Sequence, residues 1–132
     1  EAVTTNCEIV AYHLAYTHRY MFLVAVLIMS IIHANSSNFE EIVLKSDKPV
    51  LLDFFATWCG PCKMLGQVLE NMAKEEKDYK IVKVDIDQCE DLTRKYNVMA
   101  VPTIFIIKDG EVVDTMQGFQ QQKVLEDRMS RL

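Results

Sequence analysis

Apolar positions fall into a few distinct patterns along this chain of 132 residues. Glu1 to Tyr20 is mixed, with no clear period. Tyr20 to Ile32 is almost continuously apolar, broken by Ser30. Pro49 to Ala56 (Pro-Val-Leu-Leu-Asp-Phe-Phe-Ala) reads as a strand buried on both faces. From Cys59 to about Asp78, Met64, Leu65, Val68, Leu69, Met72 and Ala73 recur in steps of three and four, which predicts one buried helical face. Lys80 to Asp87 alternates through Ile81, Val82, Val84 and Ile86 as a strand does, and Glu90 to Tyr96 reads as a short helix with Leu92 and Tyr96 inward. Pro102 to Lys108 holds the apolar run Ile104 to Ile107, and Asp109-Gly110 is a two-residue hairpin signal that turns Glu111 to Met116 back on it. Gln120 to Leu132 closes the chain as a helix, with Val124, Leu125, Met129 and Leu132 near one side.

Upstream, Ser37-Asn38-Phe39-Glu40 matches a capping box, serine followed three residues later by glutamate. Phe39, Ile42 and Val43 then make a short amphipathic helix ending near Asp47-Lys48-Pro49. The order is βαβαβαββα. Alternating strands and helices imply right-handed parallel crossovers, and the terminal hairpin adds antiparallel strands. The fold class is α/β.

Composition narrows the function classes. Half the residues are hydrophobic and a quarter charged, as in ordinary globular domains. A net charge of −5 without a lysine or arginine run argues against nucleic acid and against an electrostatic membrane patch. Of the four cysteines, Cys7 and Cys89 are isolated, so a disulfide framework is not expected and a reducing compartment fits better. Cys89, after Asp85-Ile86-Asp87-Gln88, reads as an incidental thiol in a polar surface loop, with regulatory oxidation or dimerisation as the alternative. His13, His18 and His33 share no ligand spacing and are read as structural.

The segment 20–32 has three readings. It is too short for a membrane-spanning helix, which needs roughly twenty apolar residues. It packs as a helix on an apolar surface, or it is a membrane anchor or uncleaved export segment with His18 and Arg19 just upstream, or it is foreign to the native mature protein, with Met21 as a start residue.

Chemistry concentrates at Trp58-Cys59-Gly60-Pro61-Cys62-Lys63. A C-x-x-C where a buried strand passes into a helix reads as a redox dithiol. Unpaired N–H groups and the macrodipole at the helix start favour an anion, and the thiolate is the reactive form of cysteine. Pro61 suits the first turn, where an N–H has no partner. The competing reading is half of a zinc site, but no second C-x-x-C and no H-x3–5-H lies nearby. Asp53 is the odd residue of its strand, since burying a carboxylate is costly unless it is neutral or hydrogen-bonded.

Asp53-Phe54-Phe55-Ala56-Thr57-Trp58-Cys59-Gly60-Pro61-Cys62-Lys63 resembles the active-site segment of the thioredoxin family. Val101-Pro102-Thr103 resembles the family's cis-proline loop, Lys108-Asp109-Gly110 its hairpin, and Gly118 its late glycine. The resemblance covers about 30–132, so the chain divides into an extension, 1–29, and a domain, 30–132, whose first strand would include Ile31-Ile32-His33. It implies the thioredoxin fold, a central mixed sheet with helices on both faces. It further implies that Cys59 is the nucleophile, Cys62 the resolving thiol and Asp53 a buried proton acceptor, with Lys83 modulating it. Trp58, Gly60, Pro61, Ala100, Val101, Pro102 and Gly118 would form a flat docking surface, on which Val101 offers its backbone to an extended substrate.

The function the resemblance implies is protein-disulfide reduction and electron donation through a Cys59–Cys62 dithiol, without metal or other cofactor. Substrate proteins carrying disulfides and a thioredoxin reductase are the implied partners, and a cytoplasmic monomer is expected. Two alternatives stand beside it: a reductant tethered to a membrane or exported through residues 20–32, and a non-catalytic binding module on the same fold.

Overall fold

In the computed structural model, residues 31–132 are described. Their strands are β1 (Ile32–His33), β2 (Val50–Phe55), β3 (Lys80–Asp85), β4 (Thr103–Lys108) and β5 (Glu111–Gln117). The helices are α1 (Glu40–Leu44), α2 (Gly60–Met72), α3 (Glu90–Lys95) and α4 (Gln122–Met129). One five-stranded sheet runs in the order β1-β3-β2-β4-β5. β1 and β2 lie parallel to β3, while β4 lies antiparallel to β2 and to β5. The expected order of elements and the mixed sheet are both present.

Strand β2 is central because its side chains are apolar on both faces. Val50, Leu52 and Phe54 enter one core layer with Val82, Val84, Phe105 and Ile107, covered by Phe39 and Val43 near α1 and Leu92 of α3. Leu51 enters the other, with Ile104, Ile106, Leu65, Leu69 and Met72 of α2 and Leu125 and Met129 of α4. Burying each such leucine contributes roughly 2 kcal/mol. Because side chains alternate, Asp53 falls on the α2 side of the sheet.

Several expectations need correction. The capping box does not form: the Ser37 hydroxyl donates to Asn35 Oδ1 at 2.6 Å. Two asparagines take the backbone donors instead: the Asn35 N–H donates to Asn38 Oδ1 at 2.8 Å and the Ser37 N–H to Asn35 Oδ1 at 3.0 Å. Asparagine satisfies backbone donors in a turn as well as serine does. α1 itself is one wide π turn, closed by the Lys45 N–H on the Glu40 carbonyl at 2.9 Å.

α2 stops at Met72, not near Asp78. The next inward position is Glu76, so the apolar stripe that holds the helix on the sheet has ended. Met64 is exposed; Val124 on α4 and Leu132 beyond its end remain over a third exposed, while Leu125 and Met129 are buried. A stripe one residue wide suffices on so short a helix.

Cys89 is not in a surface loop. It is 3% exposed, packed in the α3-side core at the start of α3, with its N–H on the Asp85 carbonyl at 2.9 Å. Burial pushes its thiol pKa up, which suits neither oxidation nor dimerisation. Cys7, His13, His18 and residues 20–30 of the apolar segment lie outside the described residues. Within them, no helix is long and apolar enough to cross a membrane.

The Asp109-Gly110 hairpin turns through positive φ at both residues, 52° and 80°. A Cβ on Gly110 would stand 2.9 Å from the Leu44 carbonyl oxygen. Gly110→Ala is therefore expected to destabilise the domain by about 2 kcal/mol in urea unfolding, through left-handed strain and this clash. An unchanged midpoint would show that the hairpin moves freely away from α1.

Candidate active site

Strand β2 delivers the chain to the site and α2 carries it away. Cys59 is the N-cap of α2, with extended backbone angles (φ −88°, ψ 117°) and Pro61 in the first turn. Its sulfur accepts the Cys62 N–H at 3.2 Å. This is the donor a thiolate would use, at the positive end of the helix. Cys59 and Cys62 form a disulfide with Cα atoms 5.2 Å apart. Their i, i+3 spacing brings the sulfurs together without moving the backbone. Both are largely buried, Cys59 slightly less so at 6% exposed against 2%.

The loop before β4 faces this pair. The Val101–Pro102 peptide bond is cis. The Val101 carbonyl oxygen lies 3.7 Å from Cys59 Sγ. The Thr103 hydroxyl donates to the Ala100 carbonyl, and the Gly118 N–H donates to the Pro102 carbonyl at 2.8 Å. Gly118 holds φ at +79°, a conformation open to glycine. Trp58, Gly60, Pro61 and Ala100 are exposed, Val101 and Gly118 are half-buried, and Pro102 is buried.

Sequence reasoning missed two members of this surface. Asp87 accepts the Trp58 indole N–H at 2.9 Å, and its own N–H is fixed by Asp85 Oδ1 at 2.9 Å. The Asp-x-Asp at the end of β3 was the available signal, since such residues turn the chain on themselves. Met99, 82% exposed, adds an apolar side chain beside Ala100.

On β2, Asp53 is fully buried and neither carboxylate oxygen accepts a hydrogen bond. Its nearest cation is Lys83, directly across in the β2–β3 register, with Nζ 3.9 Å from Oδ2. Lys83 Nζ also stands 4.4 Å from the centre of the Phe55 ring. Burial pushes the Asp53 pKa up, against the partial counter-effect of Lys83, to about 7. A groove of about 320 Å³ runs along α2 here, lined by Cys62, Lys63, Gly66, Gln67, Glu70 and Lys83 among others. It is large enough for several waters, and Lys63, Gln67, Glu70 and Lys83 give it polar partners for them. Among the described residues, no three His, Cys, Asp or Glu side chains cluster as a metal site.

A family model described as thioredoxin matches residues 30–131. This chain belongs to the thioredoxin family. It is 42% identical to the thioredoxin of Bacillus subtilis over 78% of its own length and 98% of that protein. It is 46% identical to the mitochondrial thioredoxin of Mus musculus over 72% of this chain and 58% of that one. Among solved structures, the thioredoxin of Malassezia sympodialis superposes with a TM-score of 0.68 at 31% identity, covering 77% of this chain and 90% of that one. Like other thioredoxins, the protein is a thiol–disulfide oxidoreductase working through a redox-active cysteine pair. The non-catalytic and membrane-tethered readings are not favoured. Family membership implies disulfide-containing substrate proteins and a thioredoxin reductase as partners.

Proposed function

We propose that the reductase cycle divides its labour as follows. Cys59, as thiolate, attacks one sulfur of a substrate disulfide. That bond breaks, and the departing substrate sulfur takes a proton from water. The Cys62 thiol then gives its proton to Asp53 through water in the groove and attacks Cys59 Sγ. The mixed disulfide breaks, and the second substrate sulfur leaves as a thiolate that also takes a proton from water. The substrate gains two electrons and two protons, and the protein ends as the Cys59–Cys62 disulfide. Reductase restores the dithiol by the reverse sequence, with Asp53 returning the proton.

The observation that carries this division is the buried, unpartnered Asp53 carboxylate, whose pKa is raised to about 7. A group titrating there accepts and returns a proton near neutrality. Lys83 supports the ionised form from across the β2–β3 register. Trp58, Gly60, Pro61, Ala100, Val101, Pro102 and Gly118 receive the substrate. Val101 supports strand addition because, among the described residues, its N–H and carbonyl have no backbone partner.

We place the working unit at 30–132, acting as a monomer with no cofactor beyond its own disulfide. A reducing compartment such as the cytoplasm is consistent with the unpaired, buried Cys89. The test is insulin reduction by Asp53→Ala between pH 6 and 9. A rate that loses its rise through neutral pH supports the proton-acceptor role. An unaltered profile removes it.

A further inference from the structure

Gly66 has no backbone reason to be glycine. It lies inside α2, buried, without the positive φ of Gly110 or Gly118. A glycine there weakens a helix relative to alanine. A Cβ at this position would meet one heavy atom within 4 Å outside the helix's own turn, and that atom is Lys83 Nζ, at 3.4 Å. An alanine methyl would touch the ammonium there, and a longer side chain directed the same way would take its space. From there it reaches both Asp53 Oδ2 and the Phe55 ring.

We propose that Gly66 is a positioning residue for disulfide exchange: by carrying no side chain, it lets the Lys83 ammonium stand beside Asp53. This rests on the proton-acceptor reading of Asp53. A larger residue at 66 drives the ammonium outward, away from the carboxylate. The remaining titratable groups here are Lys63 and Glu70 on α2 and His33 on β1, which pairs with Lys83 and sets its ring against Phe55. β4 opposes Asp53 with the uncharged Ile104. Among the described residues, no other cation pairs with the carboxylate.

The experiment is a carbon-13 NMR titration of the Asp53 carboxyl in the oxidised full chain, where the bonded cysteines do not titrate. Gly66→Leu is expected to move the midpoint up by about one pH unit, as loss of a close opposite charge does. Lys83→Met should move it similarly, and Gly66→Leu should add nothing in the Lys83→Met background. Gly66→Ala, a better helix former placed at contact distance, gives a smaller shift in a chain that folds at least as well, and reads the effect should the leucine variant not fold. An unmoved midpoint in the Gly66 variants overturns the proposal. So does an equal shift with and without Lys83, which would assign the effect to burial alone. Insulin reduction by Asp53→Asn separates the two levels. If its pH profile matches the unsubstituted chain, the acceptor reading fails and Gly66 falls with it. If the profile flattens while the Gly66 variants titrate normally, only the role of Gly66 is lost.

Discussion

Cys59→Ser is expected to lose insulin-reduction turnover by on the order of a thousandfold or more, the scale on which removal of a nucleophile acts. The loss should be chemical, not structural. Serine is a preferred N-cap, and its hydroxyl can take the Cys62 N–H that the sulfur now accepts. Unfolding should therefore be little changed when compared with the reduced protein, which also lacks the cross-link. Cys62→Ser should fail differently. The first exchange proceeds, no second thiol displaces the substrate, and a mixed disulfide between Cys59 and substrate accumulates, visible by mass spectrometry under non-reducing conditions. Were the adduct to form on residue 62 in the Cys59→Ser chain at the same rate, the assignment of nucleophile and resolving thiol would be reversed.

The second large effect is on stability. Asp53 titrates at about 7 in the folded domain against an ordinary value of 3.8, so the folded state holds a proton that the unfolded chain releases. The stability this group contributes is fully present below about pH 4, falls as pH rises through the window between the two values, and is gone above about pH 7, where the other interactions still hold the fold. A shift of about three units corresponds to roughly 4 kcal/mol. Asp53→Asn keeps the volume and cannot ionise. At pH 8 it should be more stable than the unsubstituted protein by about 2 kcal/mol, the remainder being offset by a buried amide without partners. Urea unfolding at pH 5 and pH 8 measures both. A pH dependence that survives in Asp53→Asn would mean that some other group carries it. Stability gained together with activity lost is the expected signature of a carboxylate kept for chemistry.

Much of the site was legible because its chemistry is local. The two cysteines are joined by one helical turn, and both the capping geometry and the sulfur–sulfur approach follow from their spacing. The burial of Asp53 was legible from its flanks, since Leu51, Leu52, Phe54 and Phe55 leave a strand no polar face. The Asp109-Gly110 turn was legible from the rarity of residues that accept positive φ twice in succession.

Helix ends and exposures were less so. Ser37 and Glu40 have the spacing of a capping box, yet Asn35 and Asn38 take the backbone donors. Met64 continues the apolar series of α2 but projects past the edge of what the sheet covers. Cys89 has polar neighbours in sequence and apolar neighbours in space, because the first turn of α3 seats it against the layer that contains Ala34 and Val84.

The sequence by itself determined the order of elements, the redox pair at the start of α2, and a carboxylate within the central strand. Each depends on residues within a turn or a strand of one another, where covalent geometry leaves few choices. Only the tertiary structure decided that Lys83 stands across from Asp53, that Gly66 makes room for it, that Asp87 holds the Trp58 indole, and that Val101 faces the sulfur of Cys59. Those are contacts between elements far apart in the chain. They are fixed by strand register and by how α2 packs on the sheet, and neither is written in the spacing of any one segment.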